Sequence, residues 1–474
     1  MEQHILNTRF GIDEENLDAL AEDAKDYAFS KGIAMRASDL PLDARVPLSF
    51  CIVPSPFPAK FFQFVYDLQP YINLILHQLS YSKEILKKCL SSTIEVDEFT
   101  RNIFKIYEEC DQEISEQQLS LGLIRSDYML NTDSSQKITG IKQVENNTIA
   151  SSFGGLAPRI RDLHEFVLEK LGQKSFEHKL PINESVYELA KGIISAWDAY
   201  ENQNAIVLFV VEETTLNICD QRALEYAILD FESKISVLRC SFKELRNTAK
   251  LRGKNLLVKD KEVAVVYYRT GYIPEHYEPE DWEVRLLMER SAAIKCPSVG
   301  LHLAGTKKVQ LYLTKPGVLE NFVSHDIAEK LREVFVHQYA LDMGPDGDKI
   351  ISMGIQNPDK YVMKPEREGG GNNIYGEDVK RLLEDIRLTE KRKAYILMER
   401  IKPPGIPNCI IQRDKVPETS NIVCELGIFG VILGNKKDVF INNAAGHLLR
   451  SKKIDSNEGG IAAGFGALDS PYLE

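Results

Sequence analysis

Four polar groupings in the sequence combine residue types that can do chemistry. In the first, Lys364-Pro-Glu-Arg-Glu368 runs into Gly369, Gly370 and Gly371 and then Asn372 and Asn373. Glycines let backbone N–H groups approach an anion and let a loop open and close. Lys364 offers a point charge, and Glu368 a hard oxygen for a divalent cation that carries phosphates. The loop is not a Walker A sequence, because no Gly-Lys-Ser/Thr ends it, and it is not a GxGxxG dinucleotide turn. The second grouping is Glu145 and Asn147, two apart and therefore on one face of an extended segment. In the third, Lys307 and Lys308 follow a glycine turn; in the fourth, Arg450 and Lys452 stand two apart ahead of a glycine-rich stretch. Taken singly, these read as a solvated turn, a polar edge strand, a basic surface pair and a surface loop. Together, Glu145, Asn147 and Glu368 supply oxygen donors that leave room for waters and phosphates, a magnesium pattern.

The elements that must hold these groups follow from hydrophobic periodicity. From about Ile12 to Glu201 the chain reads as mostly helical, with Pro70 as a break in the long apolar stretch that starts at Phe61 and with "LGLIRSDYML" as a strand. Near Asn204 the texture changes. "AIVLFVV", "SVLRC" and "EVAVVYYRTGY" read as buried strands and alternate with helical "DQRALEYAILDFE" and "DWEVRLLMERSAAIKC", the pattern of a small α/β unit on a parallel sheet. That unit is placed at 204–305, between a helical first part and a mixed third part, 306–474. In the third part "KYVMKP", "AYILMERI" and "NIVCELGIFGVIL" read as strands and "GEDVKRLLEDIRL" as a helix. The glycine loop therefore joins a strand to a helix.

Composition narrows the function classes. The 474 residues are 43% hydrophobic and 27% charged, an ordinary globular balance with room for a large core. A formal net charge of −12 argues against nucleic acid or an anionic membrane as partner, since both favour a basic surface. The opening residues read as neither a signal peptide nor an Arg-rich transit peptide, and "AIVLFVV" is too short to cross a bilayer. Eight cysteines without a CxxC pair fit reduced thiols in a cytosol, and the histidines show no zinc spacing. No Ser-His or Cys-His nucleophile is evident.

The motifs, in order, resemble those of the eukaryotic-type glutathione synthetase family over nearly the whole chain. They are "LGLIRSDYML", "ENNTIASSFGGL", "NICDQR", "AVVYYRTGY", "VRLLMERSAAIKCPS", "LAGTKKVQ", "KPEREGGGNNIYGE", "YILMERI", "ELGIFG" and "GHLLRSKK…EGGIAAG". The resemblance implies an α/β fold of the ATP-grasp kind. Residues 1–203 and 306–474 would form the body with its helical N-terminal region, and 204–305 an inserted substrate-binding domain. It implies ATP-dependent ligation of γ-glutamylcysteine to glycine through an acyl phosphate, with magnesium, in the cytoplasm, by a homodimer. Such a reaction depends on positioning and charge neutralisation rather than on a covalent nucleophile.

Carried onto this chain, the resemblance implies that Glu145, Asn147 and Glu368 hold magnesium. Lys307, Lys364 and Lys452 would neutralise phosphates beneath the backbone of Glu368 to Asn373, with Tyr375 beside the loop. Met398, Glu399, Arg400 and Ile401 would receive adenine, with Glu425 and Glu458 also at the nucleotide. Arg125 would stabilise the oxyanion of the tetrahedral intermediate, and Lys364, Gly369 and Gly370 would share in catalysis. Ile149, Ala150, Ser151, Ser152, Thr215, Leu216, Asn217, Gln221, Arg269, Tyr272, Arg450, Ile461 and Ala462 would bind the substrates. Three positions depart from the family pattern. Ala150 replaces a serine, Thr215 a frequent glutamate (with Glu212 and Glu213 as the nearby carboxylates), and Glu458 an aspartate. The tandem Ala462 and Ala463 point to glycine rather than β-alanine as acceptor. A β-alanine ligase and a catalytically silent nucleotide- or peptide-binding relative are the competing readings.

Overall fold

The structure, a computed structural model, describes residues 9–12, 14–110, 118–457, 459–461 and 465–474. Among these, thirteen strands form one mixed sheet. Its mainly antiparallel half runs through Ile406–Ile411, Phe50–Cys51, Gly466–Asp469, Val439–Lys453, Thr419–Gly434 and Ser120–Thr132, with Phe50–Cys51 and Gly466–Asp469 paired parallel and Ile138–Asn147 also paired to Ser120–Thr132. Its other half is built on parallel pairs: Lys261–Tyr268 lies between Ile206–Val210 and Ile294–Cys296, and Val237–Cys240 flanks Ile206–Val210. The halves meet at a parallel pair between Ile294–Cys296 and Ser120–Thr132, where Lys295 registers with Ser120. The unbroken apolar runs of the parallel strands are explained by burial on both faces: every residue of Ile206–Val210 is buried.

Two cores sandwich the sheet. Helices Glu14–Ser30, Ala157–Lys170, Ser185–Ala199 and Ile218–Phe231 pack on the face that carries Leu121, Leu123, Phe429 and Val431. Helices Ala59–Ser80, Lys83–Val96, Glu98–Glu109 and Val299–Ala304 cover the other, with Ile124, Tyr128, Ile428 and Ile432. The expected break at Pro70 does not occur: Ala59–Ser80 is one helix that contains the proline. Val65, Leu68, Ile72, Ile75 and Leu76 are all buried beside it, and Asn442 Nδ2 donates to the Pro70 carbonyl at 2.8 Å. That burial outweighs the roughly 3 kcal/mol a helix-interior proline costs. The chain breaks instead at Tyr81–Ser82, before Lys83–Val96.

A second, four-stranded antiparallel sheet orders Gln338–Ala340, Tyr395–Glu399, Tyr361–Pro365 and Ile374–Tyr375. Helices Pro345–Gln356 and Glu377–Ile386 back it with a core of its own around Leu341, Ile351, Met363, Val379, Leu383 and Leu397. The triple glycine links two adjacent strands of this small sheet, Tyr361–Pro365 and Ile374–Tyr375, and the helix begins only after the second.

Candidate active site

One cavity of about 730 Å³ lies between the large and the small sheet. Strand alternation brings the polar groups to it. The face of Ser120–Thr132 that puts Leu121 and Leu123 into the core carries Arg125 and Asp127 next. Asn147 registers with Arg125 and Glu145 with Asp127. One strand over, Glu425 opposes Arg450 and Val423 opposes Lys452. Val144 is the extra residue of a β-bulge, because Tyr128 pairs with Gln143 and Asp127 with Glu145. The bulge sends Gln143 toward the core, where Nε2 donates to Tyr128 Oη at 3.4 Å, while Glu145 and Asn147 both line the cavity. The Val144 carbonyl accepts from Lys364 Nζ at 3.0 Å.

Opposite charges are concentrated there. Lys307 Nζ stands 3.0 Å from Glu368 Oε1 and 3.4 Å from Glu145 Oε2, and Lys364 Nζ stands 3.6 Å from Glu145 Oε2. Burial pushes the Glu145 carboxyl up, but Lys307, Lys364, Arg450 and Arg125 together outweigh it and hold it well below the usual range. Burial raises Glu368 to about 7, with Lys307 opposing and Glu145 adding to the rise. Burial lowers Lys364, only partly offset by Glu145. For Lys307 the neighbouring carboxylates of Glu145 and Glu368 overcome burial and push it up. The glycine turn ahead of Lys307 and Lys308 is present at Gly305, and the two lysines open helix Lys307–Leu313; both are buried, so they are not a solvated surface pair. Glu366, unremarked in the sequence, fixes that start by accepting from the backbone N–H of Lys307 at 2.8 Å and of Lys308 at 2.7 Å.

Glu145, Glu368 and Asn147 form a set of hard oxygens. Asn147 commits its amide nitrogen to Asp127 Oδ2 at 2.9 Å, which leaves its oxygen for the cavity. The Lys307 ammonium already sits between the two carboxylates, so the geometry accommodates a positive charge at that point. A two-carboxylate, one-amide set with space for phosphates and waters suits magnesium. Among the described residues, another trio with metal-like spacing, Glu320, His325 and Glu329, is exposed and elsewhere. Arg332 pairs with both of its carboxylates.

At the other end of the cavity, Arg269 donates to Ser151 O at 2.9 Å and to Ser152 Oγ at 2.8 Å. Asp220 holds this turn by accepting from Phe153 N at 2.9 Å and Gly155 N at 2.8 Å. Ala150 and Phe153 have φ of 51° and 71°, left-handed values that cost a non-glycine residue strain and that mark functional turns. Thr215 is buried, its Oγ1 lying 3.4 Å from Glu212 Oε2. Of the two nearby carboxylates, Glu212 lines the cavity, whereas Glu213 is exposed and pairs with Lys243 at 3.4 Å. Gln221 accepts from Arg239 at 2.6 Å.

The expected residues largely converge on this one cavity. Arg125, Glu145, Asn147, Ile149, Ala150, Ser151, Ser152, Thr215, Leu216, Asn217, Gln221, Arg269, Tyr272, Lys307, Lys364 and Glu368 line it. So do Gly369, Gly370, Gly371, Asn373, Tyr375, Met398, Glu399, Arg400, Ile401, Glu425, Arg450, Lys452 and Ile461. Asn372 does not; its side chain turns back to the carbonyls of Glu368 and Gly369, at 3.3 and 3.2 Å. Glu458, Ala462 and Ala463 lie outside the described residues. Gly369 and Gly371 have φ of 81° and 93°, and Gly370 faces Gly460 across the cavity mouth, where an added Cβ would lie 3.7 Å from its Cα. Beyond Glu366, the reading missed Asp127, the carboxylate beneath Arg125; its signal was its place two residues from Arg125 on the same strand face.

Three comparisons bear on this geometry. The family model for the eukaryotic glutathione synthase ATP-binding domain matches residues 14–473. The glutathione synthetase of Bos taurus is 41% identical over 467 residues, covering 97% of this chain and 98% of that protein. That of Homo sapiens is 40% identical, covering 97% and 98%, and the chloroplastic glutathione synthetase of Arabidopsis thaliana is 36% identical, covering 98% and 86%. Among solved structures, a glutathione synthetase-like effector from Globodera pallida in apo form superposes with a TM-score of 0.78 at 26% identity, over 98% of this chain and 99% of that one. The mixed α/β architecture is of the ATP-grasp type, and the chain belongs to the eukaryotic glutathione synthase family.

Proposed function

We propose that this ATP-dependent carbon–nitrogen ligase, a member of a family of glutathione synthetases, joins γ-glutamylcysteine to glycine in the cavity between its two sheets. The observation that carries the placement is the meeting of Glu145, Asn147 and Glu368 with Lys307 and Lys364 beneath the glycine loop, in one cavity with Arg125, Arg269 and Arg450. ATP would lie against Met398, Ile401 and Val362, its phosphates near Lys307, Lys364 and Lys452. Magnesium, held by Glu145, Asn147 and Glu368, would supply charge neutralisation on the transferring phosphoryl group.

The dipeptide would take the Arg269 end, with its γ-glutamyl group among Asn217, Gln221, Arg269 and Tyr272. Its cysteinyl carboxylate would accept the phosphoryl group, and the amine of glycine would attack the acyl phosphate. Arg125 commits three donors, to Asp127 Oδ1, Asp127 Oδ2 and Ser152 O, and its remaining N–H groups are available to a developing oxyanion. The glycine loop would exclude water from the acyl phosphate. Residues 204–305, which supply Asn217, Gln221, Arg269 and Tyr272, form the substrate-binding part on this reading, and the rest of the chain the body. We further propose a homodimer and a cytoplasmic location; no helix among the described residues is long and apolar enough to cross a membrane.

The deciding experiment measures phosphate release and product mass with ATP, magnesium, γ-glutamylcysteine, and glycine or β-alanine in competition. Release that requires both dipeptide and amine, with glycyl tripeptide dominant, is expected. Release without amine would favour a phosphotransferase, a dominant β-alanyl product the other acceptor, and no release a silent relative.

A further inference from the structure

Asp127 does not line the cavity, yet three side chains that do line it end on its carboxylate. Arg125 grips it with two bonds, Nε to Oδ1 at 2.7 Å and Nη2 to Oδ2 at 2.9 Å. Arg450 Nη2 reaches Oδ2 at 3.0 Å, and Asn147 Nδ2 reaches the same oxygen at 2.9 Å. The donors come from three strands: Ser120–Thr132, Ile138–Asn147 and Val439–Lys453. Asp127 is 0% exposed, so these bonds are its compensation for lost water.

The fold reserves space for this hub. Gly427 lies directly opposite Asp127 in the sheet, and a Cβ there would stand 2.8 Å from Arg125 Cδ and 2.8 Å from Asp127 Oδ1. Chemically the hub has a second effect. A primary amide can face a cation with its oxygen or turn through half a circle and face it with its NH₂ group, which cannot ligate. An ionised carboxylate only accepts hydrogen bonds. With Asp127 behind it, Asn147 must point nitrogen inward and oxygen outward.

We propose that Asp127 is a positioning residue: it selects the Asn147 rotamer that presents an amide oxygen to the cation, and it sets the two guanidinium groups that face the substrate. This rests on the reading that Glu145, Asn147 and Glu368 hold magnesium. Outer-shell partners of this kind typically contribute about 10–100-fold in metal affinity.

The test is Mn²⁺ binding to the intact protein with a non-hydrolysable ATP analogue, followed by electron paramagnetic resonance, in wild type, D127N and the exchanged pair D127N/N147D. In D127N one accepting oxygen becomes an NH₂ donor that faces a donor of the hub, so the hub can no longer hold both guanidinium groups and the Asn147 amide at once, and Mn²⁺ affinity should fall at least about tenfold. In the exchanged pair the carboxylate now at position 147 offers oxygen whichever way it turns, and the amide now at position 127 can donate to it. Affinity should therefore return to within about threefold of wild type. A role confined to packing or to neutralising Arg125 would leave the exchanged pair as weak as D127N. Wild-type-like affinity in D127N, or an exchanged pair that does not recover, overturns the inference. Should D127N fail to fold, the exchanged pair decides alone, since it must both fold and bind. If E368Q binds Mn²⁺ as wild type does, the magnesium reading itself fails, a result distinct from these.

Discussion

The slot at Gly427 allows a prediction whose size can be worked from distances. Gly427→Ala adds one methyl group at an ordinary extended position, so no backbone strain is involved. The new carbon would sit 2.8 Å from Arg125 Cδ, 2.8 Å from Asp127 Oδ1 and 3.2 Å from Arg125 Cγ. Carbon contacts settle near 3.5–4.0 Å, so something must move by about 0.7–1.2 Å. The neighbours cannot swing away cheaply, because Arg125 is 5% exposed and pinned by a two-bond ion pair and Asp127 is fully buried. Overpacking of this kind costs about 1–3 kcal/mol of stability. A misplacement of about 1 Å near reacting groups costs about a hundredfold in rate. Since the shift is shared among Arg125, Asp127 and the backbone, kcat/KM for γ-glutamylcysteine should fall by about ten- to a hundredfold. Gly430→Ala, on the same strand, is the control: its Cβ would meet Asn73 Oδ1 at 2.2 Å on the opposite face, away from Arg125. It should destabilise at least as much while the folded enzyme keeps its kinetic constants. Thermal unfolding and steady-state kinetics on all three proteins give the answer. If Gly427→Ala keeps kcat/KM within about twofold of wild type, the slot does not position Arg125 and the argument fails.

Glu368→Gln keeps the size of a proposed cation ligand and removes its charge; the magnesium concentration for half-maximal turnover should rise, and an unchanged magnesium profile would count against that role. Within the glycine loop the effects should be graded. Gly371→Ala meets a φ of 93° that alanine resists, whereas Gly370→Ala places its methyl in ordinary contact with Gly460, so turnover should fall much further in the first; equal losses would refute a conformational origin. Acid should destabilise the protein through its buried histidines. Burial lowers His164 to about 4 and His302 and His447 to about 3, so the fold resists protons that the unfolded chain takes up below about 6.5. Their contribution is complete above that pH and is lost as pH falls, up to about 2 kcal/mol each by about pH 5. Asp469, raised by burial to about 6, opposes this, because its ionisation disfavours the fold as pH rises from about 4 to 6. Burial also lowers His276 to about 4, which adds to the histidines, and raises Glu368 to about 7, which adds to Asp469. With four histidines against two carboxyls, the melting temperature should drop between about pH 7 and 5, and a flat profile would contradict the balance.

What the sequence disclosed depended on how local the determinant was. Glu145 and Asn147 could be read as sharing a face because two-residue spacing is a property of a single strand. Unbroken apolar runs revealed the strands Ile206–Val210 and Lys261–Tyr268 for the same reason. Arg450 and Lys452, which taken singly read as a surface loop, owe their shared face to strand Val439–Lys453. The hub at Asp127 was hidden, because its meaning depends on Gly427, Asn147 and Arg450 beside it in space. Glu366 was overlooked likewise, since the N–H groups it holds belong to Lys307 and Lys308, 59 and 58 residues away in sequence. Pro70 was misread because helix propensity is local and the burial that overrides it is not.

The bulge at Val144 makes an unusual kind of genetic edit possible. Removing a residue from a paired strand ordinarily turns every side chain beyond it to the wrong face. Here the extra residue is what interrupts the ladder beside the site: Tyr128 already pairs with Gln143, and Asp127 with Glu145. Deleting Val144 would leave Gln143 and Glu145 opposite their present partners and on their present faces. What disappears is the carbonyl that anchors Lys364 Nζ, an atom no substitution can take away. The deletion would thus act on Lys364 as an alanine scan acts on a side-chain contact. A protein that folds but needs more ATP for half-saturation is the expected result, and an unfolded one would show that the ladder cannot do without its bulge.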